Sequence, residues 1–343
     1  MEPYMTVAHG SQTQLAFVKE ATPGVIPTNP SWQTARYVSE GLTLDKQTIS
    51  SDEVRDDRNR TDVTDVGRQV SGPVNTLLSF FTFDDWLAAL LCGSWSGSAL
   101  KNGVQVKTFA FEKRFEMGVT DVFTRYLGCR INTLDLQLNA KQNVTANWGI
   151  LGIGSPDPEA TVISGSTYAD ATTTPIFNAA LNVASLSITG LAATPKLQSL
   201  SIRVNNNLYA VDVVGQYEVY DFGLGIFDVS GSLTAVFESS DLYQAIIDHS
   251  DVGIAATLSD GIGNSYEISM PKVKLTNGSP VGPGNGRAVV MEVPFTAIFD
   301  PTLAATMAIT RTFGGIDPPV VPPSLASLNF SSIGNSQYIG QVI

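Results

Sequence analysis

Residues 227–237 read Phe-Asp-Val-Ser-Gly-Ser-Leu-Thr-Ala-Val-Phe, and in them Phe227, Val229, Gly231, Leu233, Ala235 and Phe237 alternate with Asp228, Ser230, Ser232 and Thr234. Successive side chains of an extended backbone leave it on opposite faces, so a period of two predicts a strand with one face buried and one face wet. The alternation recurs at Leu134, Leu136 and Leu138, then at Val144, Ala146, Trp148 and Ile150, two strands joined between Asn139 and Asn143. A further run, Val289, Met291, Val293, Phe295, Ala297 and Phe299, contains Pro294, whose missing N–H predicts an edge or a bulge. Only Asp84–Leu91 (DDWLAALL) and Ser240–His249 (SDLYQAIIDH) have helical spacing, each opening on acidic or hydroxyl residues suited to an N-cap. The expected fold class is mainly β.

The triplet Val229-Ser230-Gly231 has a counterpart, Val70-Ser71-Gly72, placed 159 residues earlier. Each triplet leads through a strand into one of the two helices: VSGPVNTLLSF then DDWLAALL, and VSGSLTAVFES then SDLYQAII. Downstream, Tyr126–Leu136 and Tyr266–Leu275 are strand-like segments in the same order, each followed by a hairpin. An offset near half the chain is what duplication of one module produces; chance likeness of two strand–helix units is the other reading. A length of 343 residues points toward duplication, since one hydrophobic core rarely grows beyond about 250–300 residues.

Thirty-two acidic side chains against 20 basic ones leave a net charge of −12, which excludes a surface that grips phosphate by counterion release and hence a stable nucleic-acid binder. With 43% hydrophobic residues the composition is globular, neither disordered nor collagen-like. The longest charge-free stretches, 171–195 and 318–343, are diluted by Thr, Ser, Asn and Pro, so no membrane span is expected. Met1–Gly10 lacks the basic and apolar regions of a secretory signal, and retention in a cytoplasm until assembly is expected. In that reducing compartment Cys92 and Cys129 are expected as free thiols rather than as a disulfide.

Residues 45–68 are different in kind, with seven acids and five bases in 24 residues and no apolar period that would seat them on a core. An exposed arm or long hairpin is expected. Its mixed signs, Asp52, Glu53, Arg55, Asp56, Asp57, Arg58, Arg60 and Asp62, suit reciprocal pairing with another copy of the chain; a merely solvated loop is the plainer reading. The end of the chain also departs from the pattern. Asp317-Pro318-Pro319-Val320-Val321-Pro322-Pro323 favours extended polyproline geometry, and the uncharged residues beyond are expected to lie on a neighbouring surface or to form a loose end.

Catalytic and metal chemistry find little support. A Ser-His-Asp device needs a histidine, and there are two: His9 near the start, and His249 closing a helix, where it complements the dipole. Gly93–Gly97 reads GSWSG, with Trp95 where a nucleophile elbow needs serine. Cys92 and Cys129 sit in apolar surroundings, and the few His and Cys have no zinc spacing. From Asp57, an EF-hand loop would need glycine at Asp62 and glutamate at Arg68. GILGIG at Gly149–Gly154 is no dinucleotide fingerprint, and no phosphate loop occurs. No catalytic residue, cofactor or metal is assigned.

Several motifs taken in order resemble one family. Phe17-Val18-Lys19-Glu20-Ala21-Thr22-Pro23-Gly24, Arg36–Leu42 (RYVSEGL), the arm with Ser51-Asp52-Glu53-Val54-Arg55, Val70-Ser71-Gly72 leading into Trp86–Leu91, and Tyr126–Asn132 (YLGCRIN) are similar to the major tail tube proteins of long-tailed, non-contractile bacteriophages, over most of residues 15–300. The resemblance implies two tandem β-sandwich or half-barrel modules, 1–157 and 158–312, each with a short flanking helix, followed by a C-terminal arm, 313–343. It implies a structural virion protein that polymerises into stacked rings, of three chains with a pseudo-sixfold wall or of six, forming a conduit for DNA that passes without stable binding. Implied partners are further copies, the tape measure, the terminator and the distal tail protein. The alternatives are another tail ring component, or a receptor-binding or carbohydrate-binding β-sandwich, though Trp32, Trp86, Trp95 and Trp148 are dispersed rather than clustered on loops.

Overall fold

The computed structural model describes residues 8–118 and 120–314. The chain is mainly β, and its α-helices among the described residues are Asp84–Leu90 and Asp241–Ile247. Eight strands form one antiparallel sheet in the order Thr43–Ser50, Val63–Leu77, Thr145–Gly152, Val122–Asn139, Leu197–Asn205, Asp228–Val236, Val290–Ala297 and the last residues of Ser265–Leu275. The period-two pattern sets its two faces. Val70, Val74, Leu134, Leu136, Trp148, Ile202, Leu233 and Val293 are buried on one, and Asn75, Asp135, Asn147, Ser201, Arg203, Ser230 and Thr296 line the other.

A second layer covers the buried face. Thr13–Glu20 pairs with Thr108–Phe115, which pairs with the first part of Val122–Asn139; likewise Val183–Thr189 pairs with Asp251–Ser259, which pairs with Ser265–Leu275. The long strand Val122–Asn139 crosses between layers, bending at Gly128, whose φ of 61° is open to glycine at little cost. The same pairings therefore occur twice, in the same chain order, with a helix after the second sheet strand each time.

The repeated glycine has a physical reason. A Cβ on Gly72 would lie 2.1 Å from the carbonyl oxygen of Gly41, and one on Gly231 would lie 2.1 Å from that of Ser201. Each glycine lets an adjacent strand cross close to its own at the same point of the pattern. Gly231→Ala is expected to cost about 1–3 kcal/mol by overpacking. Gly72→Ala is expected to cost more, because its φ of 150° adds strain. Denaturant unfolding of both variants checks the order.

One expectation is corrected. The helices are not capped by their own side chains: Phe83 and Ser240 hold the N-cap positions and neither makes a side-chain cap bond. Asp84 instead turns inward, accepting hydrogen bonds from Tyr266 and Arg311. His249 closes the second helix through its backbone, at φ 50°, with Ser250 N–H donating to the Ala245 carbonyl at 3.0 Å. The halves also share a core, since a single apolar cluster takes in Phe17, Trp86 and Trp148 together with Ile202, Leu233 and Phe295. The reason is exchange of segments. Phe177 packs into that cluster while residues 167–169 pair with Ser31–Thr34, and Ala308–Thr312 pairs back onto Ala99–Lys101. Pro294 lies inside Val290–Ala297, where Ser265–Leu275 peels away, so that stretch of the strand is an edge. The polyproline segment and almost all of the C-terminal arm lie outside the described residues.

Candidate assembly surface

The charged stretch is the end of a β-hairpin. Thr43–Ser50 pairs with Val63–Leu77 as far as Ser50 opposite Val63, and Ser51 N–H donates to the Asp62 carbonyl at 3.2 Å. Residues 52–62 form an exposed loop beyond that closure. Arg55 donates twice to Asp57, at 2.9 and 2.7 Å, and the Asn59 amide donates to the same carboxylate at 3.1 Å. These donors, Arg55 first, hold the Asp57 carboxyl down to about 2. Arg60 donates to the Ser50 hydroxyl at 3.2 Å, and Asp62 accepts from Val63 N–H and the Thr64 hydroxyl. Among the described residues, Asp52, Glu53, Asp56 and Arg58 form no ion pair, so the loop presents their charge outward.

The hairpin grows from a sheet edge. Among the described residues Thr43–Ser50 has one strand neighbour, Val63–Leu77, and its other side carries unpaired backbone groups. At the far end of the sheet, Leu275 is the last residue of its strand, and after Thr276 N–H donates to the Pro294 carbonyl at 3.0 Å the chain leaves as a loop through residues 277–289. The sheet thus has two unlike free ends.

A second exposed segment escapes sequence reasoning. Residues 206–227 connect Leu197–Asn205 to Asp228–Val236, as residues 51–62 connect Thr43–Ser50 to Val63–Leu77. They fold over the first half, where Arg130 donates to Asp221 and to the Phe222 carbonyl. Arg68 N–H donates to the Tyr217 carbonyl at 2.8 Å, with the Arg68 guanidinium 5.4 Å from that ring. The signal in the sequence is the run of aromatics Tyr209, Tyr217 and Tyr220, all exposed.

The polar face of the sheet encloses an open concavity of about 990 Å³. Its lining is mostly Ser, Thr, Asn and Gln, with apolar positions such as Val38, Leu77 and Pro294 among them and one acid and one base, Asp135 and Arg203, which face each other at 3.5 Å. Strong chemistry is absent from it. Cys92 and Cys129 are free and buried, and burial pushes both thiols up, Cys129 well above its ordinary range. Among the described residues no group of three His, Cys, Asp or Glu side chains is gathered for a metal, and no helix is long and apolar enough to cross a membrane. Trp32, Trp86 and Trp148 are fully buried and Trp95 is packed against the core, so the tryptophans form no exposed platform.

Two open sheet ends and an exposed charged hairpin offer surfaces for association. A family model, that of the phage tail tube protein, matches residues 10–321, and the chain belongs to that family. No curated protein matches the chain. It is a structural component of the phage virion tail, assembling with itself and with other tail proteins into a tube.

Proposed function

We propose that three copies of this chain close a ring, each contributing two modules, 1–157 and 158–312, and that stacked rings form the tail tube of a long-tailed, non-contractile phage through which the genome leaves. The eight-stranded sheet with unlike free ends carries this reading. Three such sheets joined edge to edge make about 24 strands; at about 4.8 Å each the circumference is about 115 Å and the diameter about 37 Å before strand tilt widens it. Side chains reaching about 5 Å inward leave a bore of roughly 25 Å, wide enough for duplex DNA. The polar face then lines the bore. Its concavity carries one acid and one base, Asp135 and Arg203, paired with each other, and in a chain of net charge −12 this gives phosphates little to hold, so DNA slides.

In this reading the protein is not an enzyme, and assembly takes place in the host cytoplasm. The tape measure occupies the bore before DNA, while the terminator and distal tail protein close the two ends of the stack. The loop carrying Asp52, Glu53, Arg55, Asp56, Asp57, Arg58, Arg60 and Asp62 links subunits or rings. Electron microscopy of the concentrated purified protein tests the proposal. Hollow tubes of uniform width are expected, and a persistent monomer, or isolated rings that never stack, contradicts it.

A further inference from the structure

We infer that the junction between two copies reproduces a junction already present inside one chain, strand for strand and in register; this rests on the ring reading above. The internal junction is the antiparallel pairing of the end of Val122–Asn139 with Leu197–Asn205, which runs from Asn139 opposite Ser199 to Thr133 opposite Asn205. It joins the last sheet strand of the first half to the first sheet strand of the second.

Both partners have counterparts, identified by what they pair with. Leu44 faces Val70 as Val204 faces Val229, Thr43 faces Ser71 as Arg203 faces Ser230, and Glu40 faces Val74 as Leu200 faces Leu233. Residues 39–45 therefore occupy the place of 199–205. On the other side, Leu275 faces Phe295 as Ile131 faces Ile150. Val281 bridges Val290 as Gln137 faces Thr145, so the one-residue register shift after Ile131 recurs after Leu275. Residues 277–283 take the place of 133–139. These two counterparts are the free ends of the sheet. Within one copy they cannot pair with each other, because they stand at opposite ends of the eight strands.

Placing one half of the molecule on the other carries the internal junction to the outside. Residues 277–283 of one copy straighten beside residues 39–45 of the next, with Asn277 opposite Asp45, Ser279 opposite Thr43 and Val281 opposite Gly41. The pair Ser279–Thr43 replaces the internal pair Asp135–Arg203, so this junction carries no ion pair across the bore face. Backbone hydrogen bonds at Gly278 opposite Leu44 and at Gly282 opposite Glu40 supply the contact; between them Pro280 has no N–H to give, and the Leu42 carbonyl it would face already accepts from Lys113 and Tyr126.

Disulfide trapping tests the register. Directly opposed residues in an antiparallel pair have Cα atoms about 4.5–5.5 Å apart, within reach of a disulfide, whereas a partner two positions along lies at about 7–8 Å and is out of reach. Thr43 and Ser279 are exposed, and the native thiols Cys92 and Cys129 are buried. Full-length chain carrying Thr43→Cys and Ser279→Cys, assembled and then oxidised, is expected to give a covalent ladder that ends at the trimer, at least tenfold more than Thr43→Cys with Val281→Cys or either single variant. Hydrogen exchange on the unmodified protein gives an independent reading: amides in 39–45 and 277–283 should slow on assembly. Tubes that form without the ladder, or that trap both cysteine pairs equally, or whose edge amides stay fast, overturn the junction and leave the tube reading standing. Failure of the unmodified protein to assemble removes both.

Discussion

Replacing residues 52–62 by Asn-Gly yields a protein that folds as before and does not polymerise. The replaced loop begins just beyond the Ser50–Val63 pair and has no buried residue, so a three-residue turn can close the hairpin in its place. Exposed segments of this kind contribute little to stability, and the unfolding free energy is expected to stay within about 0.5 kcal/mol of the parent. Assembly loses a dense cluster of outward-facing charge beside a free edge. The concentration needed for tube formation should rise at least tenfold, the equivalent of about 1.4 kcal/mol per contact. Sedimentation of dilution series measures it. Tubes formed at the parental concentration would remove the loop from the assembly surface.

The largest loss of stability is expected at Arg311. This side chain leaves Ala308–Thr312, donates to Asp84 at the start of the first helix and stacks 4.2 Å from the Trp95 ring, while Tyr266 donates to the other Asp84 oxygen. Desolvation raises the Asp84 carboxyl above its ordinary range even with Tyr266 and Arg311 pulling it down. Arg311→Leu leaves that carboxylate buried without a cation and should cost about 3–5 kcal/mol near neutral pH. The pH dependence has a definite sign. A carboxyl whose folded pKa is raised favours the fold when protonated and loses that contribution as pH rises through the raised value, so the deficit of Arg311→Leu should shrink in acid. Adding Asp84→Asn should recover part of the loss at neutral pH. Denaturant midpoints across pH 3 to 8 (about that range) measure both, and a deficit below about 1 kcal/mol would place the closure of the two halves elsewhere.

Much of the fold is legible in the sequence because alternation is a local signal. Asp228–Val236 and Thr145–Gly152 follow directly from the spacing of Val229, Leu233 and Ala235 and of Ala146, Trp148 and Ile150. The shared Val-Ser-Gly triplet marks the repeat, but its cause, two glycines pressed against the carbonyls of Gly41 and Ser201, is a contact between strands far apart in sequence. Asp84 reads locally as a helix cap. Only Tyr266 and Arg311, about two hundred residues away, explain why it turns inward. For the assembly surface, charge density picks out residues 45–68, yet the free backbone edge that carries the loop has no signature of its own, since it depends on which strands fail to find a neighbour. Residues 206–227 were missed for a related reason: Arg130 and Arg68 hold them through backbone carbonyls, which no side-chain pattern announces.

Cryo-electron microscopy of tubes assembled from the pure protein measures the central claim directly, by counting chains around the axis and tracing strands through the wall. Three chains per ring, with eight strands from each running unbroken into the next around an open bore, is the expected image. Six chains per ring, a wall interrupted between chains, or a filled axis would contradict it.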